Sequence, residues 1–182
     1  MADPGLRSFL AALQPSARER IEWPEGLSFL VSTYLTPAAP PPAFLSSSRA
    51  IVRREASVLV VSDSWGTTHI LPGGRLEAGE SALDAVHREV AEESGWLIDK
   101  LRQIGVLHFH HLQPCPRGYR YLYPDFLQIV FTARAREYDE TSRDQGGVEI
   151  SATFLPVLDV ADLPLNLGEQ ALLQAALQSS PD

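Results

Sequence analysis

The sequence predicts an α/β fold in which a mixed β-sheet lies between helices. Three observations carry that expectation. Apolar runs with strand character fall on both sides of one strongly patterned helical segment, a second helical segment closes the chain, and no internal repeat interrupts the order. At 182 residues the chain fits one catalytic domain with a modest extension, because two domains of about 100–150 residues each would need more.

Asp3 followed by Pro4 reads as an N-cap and first helical residue, and Leu6, Phe9, Leu10 and Leu13 share one helical face before Pro15 stops the turn. In SARERIEW, Ser16 and Glu19 have capping-box spacing and predict a second helical turn. LSFLVSTYL, Leu27 to Leu35, reads as a strand, and TPAAPPPAFLSSS as a Pro- and Ser-rich loop. Residues 1–48 are therefore expected to form an N-terminal extension and 49–182 the catalytic domain. The apolar stripe of the extension needs cover, either from the core or from a second subunit in a homodimer.

AIVRR and ASVLVVSD predict two strands, SWGTT a turn, and HIL a short strand entering Pro72, Gly73 and Gly74. Ser81 with Asp84 opens a helix, and Gly95 stands where a left-handed C-cap ends it. Further strands are expected at QIGVLHFHHL, DFLQIVFTARA and SATFLPV, and GEQALLQAALQ is the final helix.

Composition excludes several classes. The 45% hydrophobic and 21% charged residues are ordinary for a globular chain, and no apolar run reaches the roughly 20 residues of a membrane span. A net charge of −8 argues against a nucleic-acid surface, which needs clustered Lys and Arg. The single Cys115 can form no internal disulfide, and MADPGLRSFLAALQPS has no secretory pattern, so cytoplasmic residence is the expectation.

Chemistry concentrates between Leu71 and Trp96. Glu89, Glu92 and Glu93 stand at i, i+3 and i+4 on the predicted helix, so three carboxylates share one face. Like charges at those spacings cost about 0.2–0.5 kcal/mol per pair unless compensated, and a divalent cation compensates them. Arg88, four residues before Glu92, can hold a carboxylate in place, while Ala82, Val86 and Val90 form the adjoining apolar stripe. Carboxylates at such a margin bind a hard cation yet leave positions for water and substrate oxygens. The glycine-rich stretch after Pro72 lets backbone approach closely, and the Gly73 carbonyl is a candidate further ligand.

Gly74, Glu80, Arg88, Glu89, Val90, Glu92, Glu93 and Gly95 match in register the signature box of the Nudix hydrolases, and the segment resembles that family. Seven fixed identities at residue frequencies of about 6–7% would coincide by chance in fewer than roughly one chain in a million. The one departure is Trp96, where the family usually has an aliphatic residue. The resemblance implies an α/β/α sandwich, Mg²⁺ bound by Glu89, Glu92 and Glu93 with Mn²⁺ able to substitute, and Arg88 as orienting group. It implies hydrolysis of a diphosphate linkage in a nucleoside diphosphate joined to another group X, by attack of a metal-activated water. The general base would be a box glutamate, Glu92 or Glu93, or a carboxylate from a later loop, for which Glu149 beside Gly146 and Gly147 is the candidate and Asp139, Glu140 and Asp144 are competitors. Cys115 lies downstream of the box, whereas isopentenyl diphosphate isomerases of this fold need a cysteine upstream.

Other readings stand beside these. An acidic helix face is most often only solvated, and a fold of this kind can serve as a non-catalytic nucleotide-binding or regulatory module, whose usual mark is loss of the box carboxylates. None is missing here. Glu80 suits a brace for the loop as well as a metal ligand, and Gly74 and Gly95 suit structural roles. His108 and His110 share a strand face, fit for a metal or substrate contact but more commonly a half-exposed pair. Arg120 and Tyr121, in a loop with Tyr119 and Tyr123, are candidates for stacking on a base, with loop packing as the alternative.

Overall fold

The computed structural model describes residues 3–23, 26–64, 66–144 and 149–179, with only the backbone described at 149 and 150. Helix α1 spans Pro4–Ala11, and Asp3 caps it by accepting from the backbone N–H groups of Gly5 and Leu6. The Ser16–Glu19 turn is not helical. Residues Ala17–Trp23 form strand β1, paired antiparallel along its whole length with β2, Leu27–Leu35. The capping spacing was a local signal, and seven ladder positions outweigh it. The same residues also alternate, with Ala17, Glu19, Ile21 and Trp23 turned inward and Arg18, Arg20 and Glu22 outward.

Strand β3, Leu45–Arg54, organises the rest. On one edge it pairs in parallel with β8, Asp125–Tyr138, and on the other it divides its partners. Ser47–Arg49 pair with β6, Gly73–Arg75, whereas Arg53 and Arg54 turn through Glu55 and Ala56 into β4, Ser57–Asp63. Strand β4 then pairs with β5, Thr68–His69, and with β9, Glu149–Pro156. The long β7, Trp96–His111, joins β2 to β8. The expected strand at 103–112 thus begins seven residues earlier, and three register shifts, with Lys100 at a φ of 53°, break the alternation that would have shown it. The described strands form one mixed sheet in the order β1-β2-β7-β8-β3-β4-β5, with β6 and β9 beside β3 and β4. Residues 17–48, expected as part of an extension, thus contribute β1, β2 and the start of β3 to the same sheet as the later strands.

Alternation assigns the two sheet faces. Ala50, Val52, Leu59 and Val61 pack with Val86 and Val90 of helix α2, Ala82–Ser94. Ile51, Val58 and Val60 face the other way, onto Leu172, Leu173 and Ala176 of α4, Leu167–Gln178, which follows the short α3, Val157–Val160. The result is an α/β/α sandwich with a mixed sheet, as the resemblance implied. No described helix is long and apolar enough to cross a membrane.

Helix α1 lies on the core, with Leu6 fully buried against Val106 and Leu127 and with Phe9, Leu10 and Phe44 around it. Leu6→Ala should therefore cost about 2–5 kcal/mol, read as a lower urea midpoint. An unchanged midpoint would show that this contact does not hold the helix.

Candidate active site

Helix α2 sets the carboxylates. Ser81 accepts from the Asp84 N–H at its start, and Gly95, at a φ of 74°, ends it while donating to the Ala91 carbonyl at 2.7 Å. Ala85, Val86, Val90 and Ala91 are buried, which leaves Glu89, Glu92 and Glu93 along the margin beside β6. The two glycines of β6 are there for space. A Cβ on Gly73, whose φ is 137°, would strike the Ser48 carbonyl and the Arg49 backbone, and one on Gly74 would enter the Glu89 carboxylate.

Arg88 gathers the acidic groups. Its Nε and Nη2 donate to the two oxygens of Glu80 at 2.9 and 3.0 Å, and its Nη1 donates to Glu89 at 2.9 Å and Glu92 at 3.0 Å. Nη2 also reaches the Arg75 carbonyl at 3.0 Å, tying the helix to β6. Both Glu80 oxygens are thereby engaged, one of them also by the Glu77 N–H, which is the arrangement of a brace. Hydrogen bonds from Arg88 and then from the Glu77 backbone hold the Glu80 carboxyl down to about 2. Burial pushes the Glu89 carboxyl up, against the pull of Arg88 and with help from Glu92. Glu93 accepts from the Gly73 N–H at 3.0 Å.

These contacts bear on metal binding. Among the described residues no three acidic, His or Cys side chains converge as ligands; Arg88 holds the Glu89 and Glu92 carboxylates, and the Gly73 N–H holds that of Glu93. The donors nevertheless fit a hard divalent cation. All are oxygens, and the Gly73–Gly74 cradle carries no side chain where Glu89 faces it.

Two cavities with shared lining residues open beside this margin. One, of about 370 Å³, is bounded by Glu93, Gly73, His69, Glu19 and the start of α4. The other, of about 600 Å³, holds Arg75, Arg120 and Tyr121, and Trp23, Arg49 and Gln128 border both. Arg49 is fixed between them by donating to Gln128 at 3.0 Å and to the Leu71 carbonyl at 2.9 Å. The Arg75 guanidinium lies 3.3 Å from the centre of the Tyr121 ring. Burial, aided by the charge of Arg49, lowers the His69 imidazole to about 4, so it is neutral near pH 7.

The other candidates fall in several places. Tyr119 lines the second cavity and also bonds His111 at 2.9 Å, while the Tyr123 hydroxyl donates to the Gln113 carbonyl, so the aromatic loop both packs and faces the cleft. His108 and His110 both bond one oxygen of Asp125 at 2.8 Å, and Asp125 borders a separate cavity beside α1. Burial pushes the Asp125 carboxyl up, but the two imidazole hydrogen bonds outweigh it and keep it below the usual range. Cys115 is exposed. The Glu149 side chain lies outside the described residues, and its backbone pairs with Asp63. Of its competitors, Asp144 donates from its N–H to the Glu92 carbonyl at 2.8 Å and Asp139 from its N–H to the Gly95 carbonyl at 2.8 Å, and the Asp139 carboxylate is occupied by Thr141 and Ser142.

Sequence reasoning missed Glu19, Trp23, Arg49, His69 and Gln128. For Glu19 and Trp23 the signal was available in the period-2 alternation of β1. For the other three, only the sheet pairing shows which way they face.

The Glu80 brace has a pH signature. Its carboxyl is depressed from the ordinary 4.5 to about 2, so its contribution is complete above about pH 4.5 and is lost as pH falls toward 2. The stability difference between the wild type and Glu80→Gln, followed by urea denaturation, should shrink across that window. A difference independent of pH would remove Glu80 as an ionic brace.

A NUDIX domain model matches residues 45–176. A provisionally named ADP-ribose pyrophosphatase, YjhB, from Bacillus subtilis (strain 168) is 36% identical over 84 residues, covering 46% of this chain and 40% of that protein. This chain thus spans less than half the length of that relative. The fold resembles a crystal structure of the Bacillus subtilis pyrophosphohydrolase BsRppH, with a TM-score of 0.58 at 15% identity over 88% of this chain and 94% of the other. It also resembles the NUDIX domain of Shewanella oneidensis NrtR complexed with ADP ribose, with a TM-score of 0.55 at 21% identity over 77% and 92%. With the family model covering most of the chain and the box residues gathered around Arg88, the chain belongs to the NUDIX domain family.

Proposed function

We propose that this chain hydrolyses a diphosphate linkage in a nucleoside diphosphate joined to another group X, using Mg²⁺ or, in its place, Mn²⁺. The observation that carries the reading is the position of Glu93. It is tied to the Gly73 N–H on one side and open to the cavity bordered by Arg49 on the other, so acidic ligands and a phosphate-binding cation meet at one wall.

Glu89, Glu92, Glu93 and the Gly73 carbonyl would hold the cation. When bound, it lowers the pKa of water and neutralises charge on the diphosphate oxygens. Arg88 keeps Glu89 and Glu92 oriented toward that position, and Glu80 keeps Arg88 in place. A box carboxylate, Glu92 or Glu93, takes a proton from the attacking water as its oxygen bonds to phosphorus. The bond to the bridging oxygen breaks, and that oxygen leaves with the departing phosphate. Glu149 is proposed as an additional carboxylate for a second cation or for the proton. Arg49, Arg75 and Arg120 supply positive charge along the cleft, and Tyr121 a face for a base.

Hydrolysis of nucleoside diphosphate derivatives should stop in EDTA and return with Mg²⁺ or Mn²⁺. Glu92→Gln and Glu93→Gln should each lower kcat by on the order of 10²-fold, and Arg88→Ala should act through misplaced ligands. Near-normal kcat in both glutamine variants would overturn the assignment, and nucleotide binding without turnover would favour a regulatory module. Glu149→Gln should depress kcat and change its pH profile. Normal kinetics there, with a loss in Asp144→Asn, would move that role to Asp144.

A further inference from the structure

We propose that β1 is a selectivity wall, on which Glu19, together with Glu169 of α4, makes the smaller cavity accept a neutral, hydroxyl-rich X group such as a sugar and reject an anionic one. This rests on the hydrolase reading above and deepens it.

The two cavities differ in charge. Among its described lining residues the larger has Arg49, Arg75 and Arg120 and no carboxylate. The smaller has three carboxylates, Glu19, Glu93 and Glu169, against the shared Arg49, and its His69 is neutral near pH 7. A substrate with its diphosphate at the Glu93 wall has one end on each side. The nucleoside end belongs on the side of Tyr121 and the arginines, where a base finds an aromatic face and hydrogen-bond donors, and X enters the acidic side. A ligated cation would offset Glu93, whereas Glu19 and Glu169 are bound to backbone N–H groups at the α4 N-terminus.

Both carboxylates are held in place. Glu19 accepts from the Gly168 N–H at 2.9 Å and, more weakly, from the Leu167 N–H at 3.3 Å, and Glu169 accepts from the Asn166 N–H at 3.0 Å. Each carboxylate oxygen has more than one acceptor site, so these bonds leave capacity for hydroxyl donors. Burial pushes the Glu169 carboxyl up, and the neighbouring Glu19 charge adds to that. Ile21 and Trp23 continue the wall from the same β1 face and suit the apolar face of a sugar ring. At about 370 Å³ the compartment lies within the range of small-molecule sites.

The test compares ADP-glucose with ADP-glucuronate, and UDP-glucose with UDP-glucuronate, which differ in charge at one carbon of X. The full chain is assayed with Mg²⁺ for kcat and KM, and binding is measured by calorimetry. The neutral sugar should be favoured by at least about tenfold, chiefly in KM and Kd, with a smaller ratio at high salt. Glu19→Gln and Glu169→Gln, singly and together, should narrow the ratio, whereas a merely structural lesion would weaken both substrates alike. Equal treatment of the two sugars by the wild type would overturn the proposal, as would a ratio that the variants leave unchanged. Cleavage of other diphosphates but of no sugar nucleotide would overturn it too. Binding with the expected ratio but without turnover would sink the hydrolase reading and keep the wall, and neither binding nor cleavage would remove both.

Discussion

The guanidinium of Arg88 is the interaction on which the site depends. Glu80, Glu89 and Glu92 approach it together, and without it their carboxylates would repel one another across a half-buried margin. An arginine does this better than a lysine because its planar fork meets both Glu80 oxygens while a third nitrogen serves the helix. The remaining hydrogen bond, to the Arg75 carbonyl, fixes the distance between α2 and β6. A substitution at Arg88 therefore disturbs backbone placement as well as charge.

Close backbone approach is the second requirement, and it follows from the first. Strand β6 is pinned between β3 and the Glu89 carboxylate with no space for a side chain at Gly73 or Gly74. That contact brings the Gly73 N–H within reach of Glu93. The forked pairing of β3 makes this possible. Its edge serves β6 at one end and β4 at the other, and Ala50 bridges the fork by donating to the Pro72 carbonyl at 2.9 Å. The sheet thus opens where the cleft begins.

The segment before residue 49 changes meaning in this light. Strands β1 and β2 complete the sheet on the side away from β4, and the inward residues of β1 form one wall of the smaller cavity. Glu19 also satisfies backbone N–H groups at the start of α4, a place where a carboxylate is favoured by the helix dipole. One side chain therefore joins the edge strand, the last helix and the cleft. Gly168 lets the helix start lie close to β2, since a Cβ there would run into the Thr33 side chain.

By itself the sequence determined the helix of the box, its caps at Ser81 and Gly95, the carboxylate face, most of the strands and the sandwich with a mixed sheet. These are legible because they depend on short-range spacing, a period of 3.6 or 2 or a fixed run of identities, and each can be checked within a few turns of chain. The same short range misled at residues 16–23, where a capping signal competed with a strand ladder that needs β2 to exist. Only the tertiary structure decided that Arg49, His69 and Gln128 face the cleft, that Glu80 grips Arg88 from eight residues away, and that His108 and His110 spend their hydrogen bonds on Asp125. Each depends on which strand lies beside which and on the register between them. That register is set by burial summed over the whole sheet, which no local window contains.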